Sequence, residues 1–338
     1  MSGLLASSAC LDDEHAEALA RCGIKTMSDV LFRSASACVP GVQIADAQRR
    51  LVERIGPVFT PLGAAWAQTK ASACLVRTCT DLDRLLGGGL LTGEITELAG
   101  RSGSSKTWLC LSACAHAALA LRASVLYVDM GKNFSARALL GATQRVAREL
   151  DIPQEQVAPA MARVRVARAN DCDEAVAALV HAHAHARTCT APGIDAWYAK
   201  LGLVVVDCVA LSLLPLMARD SAGHMWIQSV SRALRELARC NVAVLVTNIL
   251  VAGDTPLCVG VIDTKAKLAL GSSWRLVSDM RVILEPQRTT AAAGAGEYTS
   301  PPVCLSGLSV VAWLEKSTRM LRGESLVIHR PLAGPPGT

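Results

Sequence analysis

The chain has 338 residues, 51% apolar and 19% charged, and 34 Lys and Arg against 29 Asp and Glu leave a net charge of +5. That composition excludes a disordered or acidic solvating chain, which could not bury enough apolar surface to offset its chain entropy. The length suits about two domains of roughly 150 residues, and a mean hydropathy of +0.33 makes a membrane span the first reading to test.

The N-terminus has no basic stretch before an apolar run and soon reaches Asp12, Asp13 and Glu14, so no signal peptide is expected. Residues 1–55 read as a small helical domain. Apolar spacing predicts helices over 11–22, closed by Gly23, over 26–31, and over the strongly amphipathic 46–55. The Gly23-Ile24-Lys25-Thr26 turn has the look of a helix-hairpin-helix unit, whose amides approach phosphate. Spacing alone favours a plain three-helix module. Residues 56–76 form an apolar linker broken by Gly56, Pro57, Pro61 and Gly63. Its Phe59 and Leu62 are candidates for docking on a neighbour's sheet edge, the alternative being that they fold back on their own domain.

From residue 77 to 330 strands alternate with helices. Strands are predicted at 94–98, 124–128, 164–166, 203–207 and 242–247, and helices at 107–121, 135–149, 172–187 and 226–239. That alternation predicts an α/β fold with a doubly wound, mainly parallel sheet. Further strands are expected at 281–284 and 310–314, a flexible hairpin tip at 291–296, and a disordered tail at 331–338. The longest apolar stretch, 201–218, carries Asp207 near its middle and Pro215 near its end. A central carboxylate is costly in lipid, so a strand buried on both faces is expected rather than a span. Thirteen cysteines form no C-x-x-C pair. Cys110, Cys114, Cys208 and Cys240 read as buried reduced thiols of a cytosolic or nuclear protein. His181, His183 and His185 alternate with Ala on a predicted helix. A metal held by His181 and His185 competes there with a plain surface run, which is favoured.

The chemistry concentrates at Gly100-Arg101-Ser102-Gly103-Ser104-Ser105-Lys106-Thr107, between a strand and a helix. A phosphate-binding P-loop has that context: loop amides and the helix N-terminus cradle phosphate oxygens. Lys106 would reach the β- and γ-phosphates of ATP, and the Thr107 hydroxyl would bind Mg2+. Ser105 stands where the motif has Gly. If that position needs a positive φ, the cost is of order 1–2 kcal/mol, and Ser105→Gly is expected to strengthen nucleotide binding. About 100 residues on, the apolar strand Leu203-Val204-Val205-Val206 ends in Asp207. A carboxylate there would hold the Mg2+ water shell.

The run from Thr80 through Leu85-Leu86-Gly87-Gly88-Gly89 to Gly93-Glu94-Ile95-Thr96-Glu97 resembles the entry to the ATPase core of the RecA/RadA recombinase superfamily, in its eukaryotic Rad51 branch. Val125–Asp129 (VLYVD), 268–274 (LALGSSW) and 314–319 (LEKSTR) resemble the paralogue group of that family, most closely its D-type members. The resemblance implies an ATP-binding subunit of a hetero-complex of recombinase paralogues. It further implies action in the nucleus, in homologous recombination and double-strand break repair, assisting the main recombinase on single-stranded or branched DNA. Two departures matter. Gly131 stands where active recombinases place a water-positioning Glu, and Ile249 where they place a γ-phosphate-sensing Gln. Loss of a water-positioning group costs a factor of about 10²–10⁴, so ATP binding with slow or absent hydrolysis is expected of the chain alone. The implied DNA-binding loops correspond to 209–225 and 250–271, whose basic residues are Arg219, Lys265 and Lys267. They lack aromatic side chains for base stacking, so DNA contact, if made, is expected to be weak, and a solvated loop with scattered charge is an equal alternative. The competing reading is a DNA-dependent ATPase that forms its own strand-exchange filaments. It would need a water-activating residue from Asp129 or a neighbouring subunit. A small-molecule kinase is a weaker third reading, since neither lid nor general base is evident.

Overall fold

The computed structural model describes residues 13–34, 38–55, 61–64, 73–187, 195–217, 222–256, 265–286 and 308–330. The chain divides into two compact units, Met1–Ala71 and Ser72–Thr338. In the first, α1 spans Asp13–Arg21 and α2 spans Met27–Leu31. Thr26 Oγ1 accepts from the Asp29 amide at 3.1 Å, and the Asp29 carboxylate accepts from the Thr26 amide at 2.9 Å. This reciprocal capping box fixes the start of α2. A two-residue hairpin, β1 (Cys38–Val39) and β2 (Val42–Gln43), then turns at Gly41, where φ is +79°. Helix α3 (Ile44–Ile55) follows, and Leu19, Ile24, Val30, Ile44 and Leu51 form the unit's own core.

In the second unit, β3 (Leu75–Val76) pairs with β4 (Leu90–Leu91), with α4 (Thr80–Leu85) between them. The main sheet then takes shape from β5 (Ile95–Gly100), α5 (Lys106–Leu119), β6 (Ser124–Asp129), α6 (Ala136–Glu149), α7 (Val157–Met161), β7 (Val164–Arg168), α8 (Cys172–Arg187), β8 (Leu201–Asp207), α9 (Val209–Met217), α10 (Ala222–Arg239) and β9 (Ala243–Pro256). It is completed by β10 (Lys265–Leu268), α11 (Gly271–Arg275), β11 (Met280–Pro286), β12 (Leu308–Lys316) and β13 (Ser325–Arg330). Strand order is β13-β12-β11-β5-β9-β8-β6-β7, with β10 on β9. The run β11-β5-β9-β8-β6-β7 is parallel, while β12 and β13 are antiparallel additions.

Period-two alternation divides each central strand between two cores. Leu98, Val125, Tyr127, Leu203, Val205 and Leu245 face α5 and α6. Ile95, Val128, Val204, Val206, Val244 and Val246 face α8 and α10. Burial on both faces accounts for the apolar content. No described helix is long and apolar enough to cross a membrane. The 201–218 stretch instead divides into β8 and α9, with Pro215 inside the helix.

Two expected loops are partly regular structure. The 209–225 segment opens with α9, because Val209, Ala210 and Leu213 at helical spacing pack into the second core. The 250–271 segment belongs partly to an antiparallel pair in which Leu250 opposes Leu268 and Ala252 opposes Ala266. That pairing lets Leu250, Ala266 and Leu268 form a small core with Ala99 and Ile283. The expected hairpin tip and C-terminal tail lie outside the described residues.

Candidate nucleotide site

The 100–107 loop leaves β5 beside β9 and β11 and enters α5. Gly100 is required by close approach: a Cβ there would lie 2.5 Å from the Leu284 carbonyl oxygen. Gly103 has φ +80°. Ser105 is the N-cap of α5 and sits in the left-handed region at φ 59° and ψ 16°, the positive φ that the sequence pattern had suggested. It makes no capping hydrogen bond, and its buried Oγ has no partner. The first-turn amides of α5 are therefore not capped by a side chain, and the partial positive charge of a helix N-terminus remains at the loop.

Lys106 folds back into the loop. Its Nζ donates to the Gly100 carbonyl at 2.7 Å, the Arg101 carbonyl at 2.8 Å and Ser104 Oγ at 3.2 Å. Burial lowers its pKa, partly opposed by the nearby Asp207. Thr107 Oγ1 donates to Asp207 Oδ2 at 2.7 Å across 100 residues of sequence. Asp207 is 2% exposed and also accepts from Tyr127 OH at 2.7 Å and Thr247 Oγ1 at 2.5 Å. Burial pushes the Tyr127 phenol far up, so it stays protonated and remains a donor to the carboxylate. Sequence reading found Lys106, Thr107 and Asp207 but missed Tyr127 and Thr247. The signal for both was their place on central strands at the sheet's carboxyl end, where α/β proteins build their sites.

The residues present fit a phosphate ligand with a divalent cation. Lys106, uncapped first-turn amides and an unpartnered hydroxyl lie at one loop, and a hydroxyl and a carboxylate suited to a hard cation lie beside it. ATP bound here would be held by the loop and Lys106, with Thr107 and Asp207 on the Mg2+ side.

Neither position expected to orient the attacking water carries a suitable side chain. The Gly131 and Met130 amides donate to the Asp207 carbonyl at 3.1 and 2.9 Å, and Gly131 offers no side chain. Asp129, the other carboxylate considered, accepts from the Asn133 and Phe134 amides at 3.0 and 3.2 Å, which makes it a turn-forming residue. Ile249 packs against the second core, and its amide donates to Asn248 Oδ1.

Lys267 is exposed on β10, and Lys265 opens that strand. Arg219 and Phe59 lie outside the described residues, while Leu62 is 85% exposed. His181 and His185 stack at 4.1 Å, with Tyr198 OH 3.2 Å from His181 Nδ1 and His185 Nδ1 2.8 Å from the His181 carbonyl oxygen. No group of three His, Cys, Asp or Glu among the described residues could hold a metal ion.

The residues of the entry motif build the frame beneath the loop. Glu97 is fully buried and accepts from Arg281 Nε at 2.6 Å, Asn248 Nδ2 at 2.8 Å, Ser278 Oγ at 2.9 Å and Trp274 Nε1 at 3.0 Å. Glu94 pairs with Arg319 at 3.0 Å, and Arg319 also holds the carbonyls of Leu86 and Gly89. Gly87, Gly88 and Gly89 all have positive φ, and a Cβ on Gly89 would lie 2.6 Å from the Val76 carbonyl oxygen.

Residues 69–291 match the Rad51 family model. The chain belongs to the Rad51 family. Among the family's curated members it is 32% identical to DNA repair protein RAD51 homolog 4 of Bos taurus over 314 residues, 90% of each chain. It is 31% identical to the Mus musculus homolog 4 over 317 residues, again 90% of each. DNA repair protein RAD51 of Saccharomyces cerevisiae is 30% identical over 226 residues, 63% of this chain and 52% of that one. The resemblance to the D-type paralogue is thus borne out. A mainly parallel sheet with helices on both faces agrees with the α/β core expected of a Rad51-family chain.

Proposed function

We propose that this Rad51-family chain binds ATP with Mg2+ at the 100–107 loop and acts as a nucleotide-binding subunit of a recombinase-paralogue complex in homologous recombination and DNA repair. Its similar relatives are named DNA repair proteins. The observation that carries the nucleotide reading is the Thr107–Asp207 contact of 2.7 Å beside the Lys106 loop. The bound nucleotide works as a clamp that stabilises the assembly, with weak or absent turnover, because Gly131 and Ile249 supply neither a carboxylate nor an amide. The complex contains other paralogues, assists the main recombinase on single-stranded DNA, and acts in the nucleus. The apolar 56–76 linker, through Phe59 and Leu62, is the docking segment.

Purified chain tests this reading by nucleotide binding and by turnover with and without single-stranded DNA. Binding with background turnover is expected. Robust DNA-stimulated turnover by the lone chain, with continuous filaments on single-stranded DNA under the microscope, would establish the filament-forming ATPase instead.

A further inference from the structure

The carboxyl ends of β6 and β7 open into a cavity of about 410 Å3, lined by Asp129, Lys132, Phe134, Arg168, Ala169 and Asn170. A second cavity, of about 340 Å3, is bounded by the start of α8 and by α9 and α10. Its lining includes Asp171, Asp173, Leu211, Pro215 and Trp226. Asn170 lines both, so the two adjoin as one groove.

The two ends differ in character. At one end, Lys132 is exposed at φ 55°, and Arg168 is exposed opposite Asp129 in the β6–β7 ladder. The Asp129 carboxylate is taken by backbone amides. Neither cation makes an ion pair among the described residues. At the other end Leu211 is 44% exposed and Pro215 is exposed. Asp171 caps α8 through the Glu174 amide at 2.9 Å, and Asp173 stands exposed beside it. Exposed apolar surface bounded by exposed charges of both signs is the make-up of an interaction surface rather than of a solvated loop.

Charge decides the kind of partner. A nucleic-acid backbone is a uniform polyanion. It would gain at Lys132 and Arg168 but meet Asp171 and Asp173 at the far end. A free phosphate would use the cationic end alone and leave Leu211, Pro215 and Trp226 uncovered. One stretch of polypeptide can present a carboxylate, an apolar side chain and a cation in succession. We propose that this groove binds a partner protein through a short segment with an acidic side chain at the Lys132–Arg168 end and apolar and basic side chains at the Leu211–Asp173 end. This holds whether or not the 100–107 loop binds nucleotide. It makes a face where the family would place its first DNA-binding loop into a protein-docking face.

The test pans a random decapeptide phage library against the full chain, with Lys132→Glu/Arg168→Glu and Leu211→Asp variants as controls. All three positions are exposed, and unchanged melting temperatures would verify the fold. Enriched peptides are expected to combine acidic, apolar and basic residues. Synthesised copies should lose at least tenfold in affinity for each variant. Failure to enrich, or enriched peptides that bind the variants as well as the parent, would overturn the proposal. An oligothymidylate probe provides the contrary arm: binding abolished by Lys132→Glu/Arg168→Glu and strengthened by Asp173→Lys would assign the groove to nucleic acid.

Discussion

Ser105 carries the cost of a left-handed turn that the P-loop pattern gives to glycine. A non-glycine residue there costs of order 1–2 kcal/mol, and glycine's larger unfolded-state entropy returns about 0.5–1 of it. Ser105→Gly is therefore expected to raise the unfolding free energy by about 0.5–1 kcal/mol in urea melts, and a fall would show that the turn is not strained. Strain in the folded loop lowers stability with or without phosphate. The sensitive readout is thus a melt, rather than the nucleotide affinity that the sequence alone suggested. His116 on α5 offers a second test. Burial, with help from Arg77 and Arg145, lowers its pKa from 6.5 to about 4. The folded state therefore keeps the ring neutral, while the unfolded chain protonates it below pH 6.5. Its contribution is fully present above pH 6.5 and is lost as pH falls toward about 4. At 1.36 kcal/mol per unit, the loss is on the order of 3 kcal/mol. His116→Gln should flatten the fall in melting temperature between pH 7 and pH 5, and an unchanged slope would show that other groups set it.

Among elements, the Glu97–Arg281 pair joins β5 to β11, with Asn248 of β9 and Trp274 of α11 on the same carboxylate. Removing one partner of a buried pair leaves an uncompensated charge and costs about 3–5 kcal/mol. Arg281→Met should destabilise by that amount in denaturant melts, and Glu97→Gln/Arg281→Met, which removes the buried charge but keeps an acceptor for Asn248 and Trp274, should recover part of it. Equal loss in single and double variants would mean that packing, not charge, is at stake. This frame shows what the sequence could and could not disclose. The Glu94 and Glu97 motif was legible as a family signature. Its partners, Arg319 and Arg281, lie 225 and 184 residues away, and nothing local pairs either of them with its carboxylate. Strands β5, β6 and β8 were legible because both faces are apolar and they end at Gly100, Asp129 and Asp207. The β1–β2 hairpin was not, since two-residue strands carry no periodicity. Strand β13 escaped because only Ile328 in it is fully buried. At the site, Lys106, Thr107 and Asp207 followed from local motifs. Tyr127 and Thr247 join them only through tertiary pairing of β6, β8 and β9.

For the molecule as a whole, the proposed nucleotide site has Gly131 and Ile249 where a water-positioning Glu and a phosphate-sensing Gln are expected. A Cβ on Gly131 would lie 2.7 Å from Asn133 Nδ2 and 3.3 Å from Leu211 Cδ1, the ends of two exposed side chains that can turn away. Gly131→Glu/Ile249→Gln is expected to raise turnover about 10²-fold or more while leaving nucleotide affinity within threefold. Unchanged turnover would place the block elsewhere, for instance in a residue that a neighbouring subunit supplies. Lys106, Thr107 and Asp207 are proposed to form a Mg2+–nucleotide site. Its most direct test is a titration of the full chain with fluorescent ATP, with and without Mg2+, beside Lys106→Ala. The expected result is Mg2+-dependent binding that Lys106→Ala weakens at least tenfold. A parent chain that binds no nucleotide, or a Lys106→Ala variant that binds as tightly as the parent, would contradict it.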